Sequence, residues 1–141
     1  MKSIITGGAG FLGCHLAEYL VKLNHKVIII DNFSTGRLAN LKKIKRKVKI
    51  VKSDISIDGS WKKNFNDVDW VFHFASLADI VPSIENPKNY FSSNVNGTLN
   101  VLQACRKSKP KKFIYAASSS CYGIPKKYPT PETAEINPQY P

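Results

Sequence analysis

The sequence predicts an α/β domain, a doubly wound parallel sheet with strand order 3-2-1-4-5. Three observations carry this. Short apolar runs alternate with segments of helical periodicity along the chain. The first run, Lys2–Thr6, passes through a glycine turn straight into an amphipathic segment. Polar and acidic residues stand at the C-terminal ends of successive runs, where open sheets of this kind bind ligands. Uninterrupted apolar strands imply burial on both faces, hence parallel pairing with right-handed helical crossovers.

The elements follow in order. Lys2–Thr6 is the first strand, Gly7–Gly13 the turn, and Phe11 to Leu23 the first helix. Lys26 to Asp31, built on Val27–Ile30, is the second strand. The turn Asn32–Gly36 leads into a short helix around Arg37 to Lys43. Val48 to Lys52 is the third strand and ends at Ser53–Asp54. A polar helix near Gly59 to Phe65 precedes the fourth strand, Trp70–Phe74. Pro82 and Pro87 are expected to break a loop ahead of a long helix from Asn89 to Lys107. Phe113 to Ala117 is the fifth strand and runs into Ser118–Ser120. The last twenty residues, rich in proline, read as loop with a short helical turn.

Composition narrows the classes. At 141 residues, 43% hydrophobic and 22% charged, the chain has the make-up of one globular domain. No apolar run approaches a membrane span and no secretory leader pattern precedes the first strand, so the expected location is the cytoplasm. Cys14, Cys105 and Cys121 have neither metal-ligand spacing nor an even count, and read as reduced thiols. The net charge is +11, and seven of the eleven residues from Lys42 to Lys52 are basic. That run lacks interleaved aromatics, and three arginines against eighteen lysines are few for base readout. Nucleic acid is therefore not the expected partner. The charge could still draw in an anionic ligand.

The glycine turn carries the first functional signal. Gly8-x-Gly10-x-x-Gly13 lies between a strand and a helix, the context in which glycines bring backbone close to a pyrophosphate at a helix N-terminus. A dinucleotide site of this type needs an acidic residue about 20 positions on, for the ribose hydroxyls. Asp31, eighteen residues after Gly13, supplies it. A carboxylate there would repel a ribose 2′-phosphate, which favours NAD over NADP; Arg37 and the nearby lysines weigh slightly the other way.

The ordered set Thr6-Gly7-x-x-Gly10-x-x-Gly13, Asp31-Asn32, Asp54-Ile55, His73-Phe74-Ala75-Ser76, Asn94-Val95-Asn96-Gly97-Thr98 and Ser118-Ser119-Ser120-Cys121-Tyr122-Gly123 resembles the extended short-chain dehydrogenase/reductase family. Within it, the set is similar to the NAD-dependent epimerases and dehydratases of nucleotide sugars, which share a Rossmann-type sheet. The resemblance spans the chain and implies roles. Gly7, Gly10 and Gly13, with Phe11 and Leu12, would hold the pyrophosphate. Asp31 and Asn32 would bind the adenosine ribose, with Ser34, Thr35 and Gly36 close by. Asp54 would accept from the adenine amino group, and Ile55 would pack on the ring. Phe74, Ala75 and Ser76 would line the path to the nicotinamide ribose, and Asn94 would help fix loop and cofactor. Taken singly, Asp54 could equally cap a strand end and Asn94 make a bond within its helix.

By the same resemblance Ser118, four residues before Tyr122, would be the catalytic hydroxyl on the 4-oxygen of a UDP-type sugar. Family dehydratases place an Asp-Glu pair after this hydroxyl, and decarboxylases keep the Glu. Ser119 and Ser120 stand there instead, which favours a 4-epimerase over both alternatives. The implied reaction is hydride removal from sugar C4, rotation of the 4-keto sugar and hydride return to the other face.

One departure bears on activity. The family's base is the tyrosine of a Tyr-x-x-x-Lys motif, its phenol pKa lowered by the lysine. It commonly follows a segment like Asn137-Pro138-Gln139-Tyr140-Pro141, so Tyr140 reads as lead-in and not as the base. The expectation is an incomplete NAD-binding domain, residues 1–141, truncated before the last strands and the C-terminal substrate domain. Its protein partner would be a second copy or a complementing C-terminal fragment. A stand-alone or split NAD-binding module without catalysis is the alternative from another class.

Overall fold

The computed structural model describes residues 1–139; Tyr140 and Pro141 lie outside the described residues. Strands β1 (Lys2–Thr6), β2 (Lys26–Asp31), β3 (Val48–Lys52), β4 (Trp70–His73) and β5 (Lys112–Tyr115) form one sheet in the order β3-β2-β1-β4-β5. Every pairing is parallel, and the register sets Thr6 beside both Ile30 and His73. Helix α1 (Phe11–Lys22) follows β1, and the second half of the chain supplies α2 (Ile80–Glu85), α3 (Pro87–Tyr90) and α4 (Gly97–Ser108).

The two sheet faces carry separate cores because side chains alternate along each strand. Ile5, Val27 and Ile29 face Cys14, Ala17 and Leu20 of α1, with Leu41 and Ile44 beside them. Ile4, Ile28, Ile30 and Val71 face Val101, Ala104 and Cys105 of α4, with Trp61 and Phe65. This double cover explains the uninterrupted apolar strands. Cys14 and Cys105 serve as buried packing residues, and burial pushes the Cys105 thiol up to about 11.

The structure departs from the sequence-based expectations at several boundaries. Pro82 does not break a loop: it lies in the first turn of α2, where its missing N–H costs no helical bond. The long helix begins at Pro87, two residues earlier than expected. It passes through a wide π turn, Phe91–Asn96, before becoming α4. The short segments Leu38–Leu41 and Ser60–Phe65 are 3₁₀ turns. β4 and β5 stop at His73 and Tyr115, which leaves Phe74 and Ala116–Ala117 in the loops at the sheet's C-terminal end. A 3₁₀ turn, Ser119–Tyr122, lies just ahead of the tail in which a short helical turn was expected, and the described residues beyond it form no helix. Among the described residues no helix is long and apolar enough to cross a membrane.

Candidate functional site

β1 delivers the chain to the glycine turn at the sheet's C-terminal end. Gly7 takes φ +69°, and a Cβ there would lie 2.6 Å from the Ala75 nitrogen. At Gly13 a Cβ would meet Gly7 O at 2.4 Å, so helix α1 is seated directly on the turn. Gly10 caps α1 without a side-chain bond, and the first turn holds no acid. The N–H groups of Phe11, Leu12 and Gly13 therefore have no intrahelical acceptor and give that end a partial positive charge. They border a cleft of about 800 Å³. Backbone donors in a glycine cradle suit the diphosphate of a dinucleotide.

A smaller pocket of about 140 Å³ adjoins it, bounded by Asp31, Asn32, Ser34, Thr35, Gly36, Asp54, Ile55 and Ala75. Gly7, Gly10, Phe74, Ser76 and Leu77 border both spaces, so the two form one groove across the turn. The Asp31 carboxylate is 7% exposed and accepts from the N–H of Ala9 and of Phe33, each at 2.8 Å. It thereby braces the glycine turn while keeping lone pairs for a ribose hydroxyl. Asn32 donates to Asp54 at 3.2 Å, and Asp54 accepts from Ser56 N–H at 2.8 Å and Ser56 Oγ at 2.7 Å. Partial burial raises the Asp54 pKa, but these bonds outweigh it and hold the carboxyl below its usual value. It is an ionised acceptor at neutral pH. Ile55 borders this pocket with its side chain packed against Gly97 of α4.

At the other end, Ser118 begins the turn after β5. Its Oγ accepts from Ser120 N–H at 3.1 Å, leaving the hydroxyl proton to donate into the cleft. The tail folds back through Asn137 N–H to Cys121 O at 2.8 Å, which brings Pro138 and Gln139 to the cleft edge. Asp79 is the only acidic residue among the described residues lining this cleft. Asn94 borders it and holds Leu77 from both sides, accepting from its N–H at 2.8 Å and donating to its carbonyl at 2.9 Å. The described residues hold no cluster of three metal-ligating side chains.

The residues expected to hold the cofactor, together with Ser118, border one groove; Gly8, Ser119 and Tyr122 do not line it. Three further residues carried no assigned role: Ser83 and Tyr90 line the cleft, and His73 does not line it but is buried at the end of β4, directly before the groove residue Phe74. His73 is 1% exposed and bonded at both nitrogens; a lone polar residue ending an apolar strand is the signal that marks it. Ser83 and Tyr90 line the cleft from α2 and α3, and no local pattern distinguishes them.

Comparison with known proteins agrees with this arrangement. The model of the NAD dependent epimerase/dehydratase family matches residues 3–141. The UDP-glucose 4-epimerase of Lactobacillus helveticus is 34% identical over 140 residues, 98% of this chain and 42% of that protein. The UDP-N-acetyl-alpha-D-glucosaminuronate decarboxylase of Bacillus cytotoxicus is 39% identical over 122 residues, 86% of this chain and 38% of that protein. The crystal structure of UDP-glucose 4-epimerase from Bifidobacterium longum, in complex with NAD+ and UDP, superposes with a TM-score of 0.90. It is 30% identical and covers 97% of this chain and 43% of that one. The chain thus spans about two fifths of the length of these relatives. With sheet order, glycine cradle and family model in agreement over nearly all its residues, the chain belongs to the NAD dependent epimerase/dehydratase family.

Proposed function

We propose that this chain is the NAD-holding and sugar-orienting part of a UDP-sugar 4-epimerase. The observation that carries the reading is the shared cleft: the α1 start and Ser118 border the same space, with serines at the two positions after Ser118. A nicotinamide cofactor supplies reversible hydride acceptance from a sugar carbon. The α1 N–H groups hold the diphosphate, Asp31 and Asn32 the ribose, and Asp54 the adenine amino group. The Ser118 hydroxyl would donate a hydrogen bond to the sugar 4-oxygen and orient C4, while the 4-hydroxyl proton leaves to a base outside these residues. The serines favour epimerisation over the neighbouring reactions, dehydration and decarboxylation. Elimination or decarboxylation needs a carboxyl group at the sugar beside Ser118, and Ser119 and Ser120 cannot exchange protons near neutral pH. The likeness to a decarboxylase therefore reports shared scaffold. Because relatives are more than twice as long, we propose that turnover also takes the acid–base pair and substrate domain of a further segment.

The test is calorimetric NAD titration together with UDP-galactose epimerisation. Both are run on the chain alone and with the separately produced C-terminal half of a UDP-glucose 4-epimerase. NAD binding without turnover, with turnover appearing on addition of that half, is the expected result. In the complemented enzyme Ser118→Ala should lower kcat by about 10²–10³-fold and leave NAD affinity unchanged. Turnover by the chain alone refutes the need for a further segment. Absence of NAD binding refutes the cofactor assignment.

A further inference from the structure

We propose that His73 is a positioning residue for the cofactor groove: a neutral imidazole protonated on Nε2, it ties the Ala75–Leu77 loop to β1 and to the long helix. The directions of four hydrogen bonds require this form. Thr98 Oγ1 lies 2.5 Å from the Asn94 carbonyl, which can only accept, so the Thr98 proton is committed there. Towards His73 Nε2, at 2.8 Å, Thr98 Oγ1 can then only accept, and Nε2 carries the hydrogen. Nδ1, bare in the neutral ring, accepts the hydroxyl proton of Thr6 at 2.6 Å. Thr6 Oγ1 keeps a lone pair, and the N–H of Ala75 points to it at 3.4 Å.

The chain of bonds continues on the helix side. Asn94, whose carbonyl receives Thr98, grips Leu77 through both its side-chain atoms. Both ends of the segment Ala75-Ser76-Leu77 are therefore tied, Ala75 through Thr6 and Leu77 through Asn94, with His73 joining the anchors. The ring is fixed in plane by Tyr115, stacked at 5.6 Å, and by Phe113 at 6.2 Å. Ser76 and Leu77 of this segment border both spaces of the groove, and Ala75 borders the smaller one. Gly7 is so close to Ala75 that even a Cβ would not fit, and any shift of the loop is passed to the phosphate cradle. Burial holds the His73 pKa down, to about 4, which keeps the ring in the neutral form this pattern needs.

The link to cofactor affinity rests on the NAD reading above, so the test has two independent arms. In the chain without added nucleotide, long-range ¹H–¹⁵N spectra show which His73 nitrogen bears the proton, and amide exchange reports on Leu77. Nε2–H is expected, and an Nδ1–H ring overturns the proposal without any variant. Thr98→Val removes the hydroxyl at nearly constant volume and should speed Leu77 amide exchange about tenfold, as befits one lost hydrogen bond. Thr98→Ser should restore it to within about twofold. NAD affinity should fall by a similar factor in Thr98→Val and recover in Thr98→Ser. Unchanged Leu77 exchange in Thr98→Val overturns the proposal. A wild-type chain that fails to bind NAD but shows the expected tautomer and exchange overturns only the cofactor reading.

Discussion

A methyl group at Gly13 would lie 2.4 Å from Gly7 O and 2.6 Å from Gly8 Cα, both backbone atoms that cannot rotate away. Relief requires α1 to lift from the turn. Gly13→Ala should therefore cost about 1–3 kcal/mol of stability, as overpacking does, and weaken NAD binding at least tenfold. Thermal unfolding and calorimetric titration read the two effects. Gly10→Ala, whose nearest approach is 3.3 Å, should unfold closer to wild type. His73 gives a different residue-scale signature. Its ring stays neutral down to about 4 in the fold, against an ordinary 6.5. Between those values the unfolded chain binds a proton that the native state does not. Stability is thus fully present above about pH 6.5 and is lost as pH falls towards 4, by on the order of 3 kcal/mol. Urea unfolding at pH 7 and pH 4.5 should show most of this loss, and His73→Gln should remove it. The hydrogen-bonded Asp54 contributes its own acid lability only around and below its unfolded value of 3.8, beneath that window.

At the scale of elements, the long helix is the template that shapes both loops of the groove. Asn94 in the π turn holds the loop after β4, and Asn100 in α4 holds the loop after β3. Asn100 Nδ2 donates to Ile55 O at 2.9 Å and Ser56 O at 3.1 Å, while its Oδ1 accepts from Lys62 at 3.2 Å. Asn100→Leu strands two carbonyls beside the adenosine pocket. It should destabilise the chain by about 1–3 kcal/mol and loosen NAD binding, measured by chemical denaturation and titration. The sequence made the strands legible because their signals are local. β1, β2 and β3 each start and stop where an apolar run meets a turn residue or acid, and the glycine turn marks the crossing from β1 to α1. Of the long-range clamps, Asn94 was marked by its motif, but Asn100 and His73 were far less legible. Asn100 binds a backbone carbonyl 45 residues away and His73 a threonine hydroxyl 25 residues away, distances that no window of sequence registers. Pro82 misled for a physical reason as well: proline breaks a helix interior but is harmless in a first turn. The π turn follows from packing and leaves no compositional mark.

At the scale of the whole molecule, the distribution of the +11 charge matters more than its size. All five strands are parallel, so their starts share one end of the sheet and the cofactor groove occupies the other. Lys2, Lys26 and Lys112 begin β1, β2 and β5, and Lys45, Arg46 and Lys47 lead into β3. Lys22, Arg106 and Lys107 close α1 and α4 at that end, where they complement the negative helix termini. This is why the basic run reads as a fold-level feature and not as a nucleic-acid footprint. Its reach to the groove is limited too. The rise along β3 alone is roughly 13 Å, at about 3.3 Å per residue, beyond the ~8 Å screening length at 0.15 M salt. Attraction from this end should therefore contribute little to the capture of an anionic cofactor. Replacing Lys45, Arg46 and Lys47 with glutamine should leave the NAD dissociation constant within about twofold at 0.15 M salt, with a larger weakening only near 0.01 M, where the screening length grows to about 30 Å. Titrations of wild type and triple variant across that salt range decide the matter. A large loss at physiological salt would mean that these side chains reach the groove directly, contrary to the end-to-end separation a parallel sheet imposes.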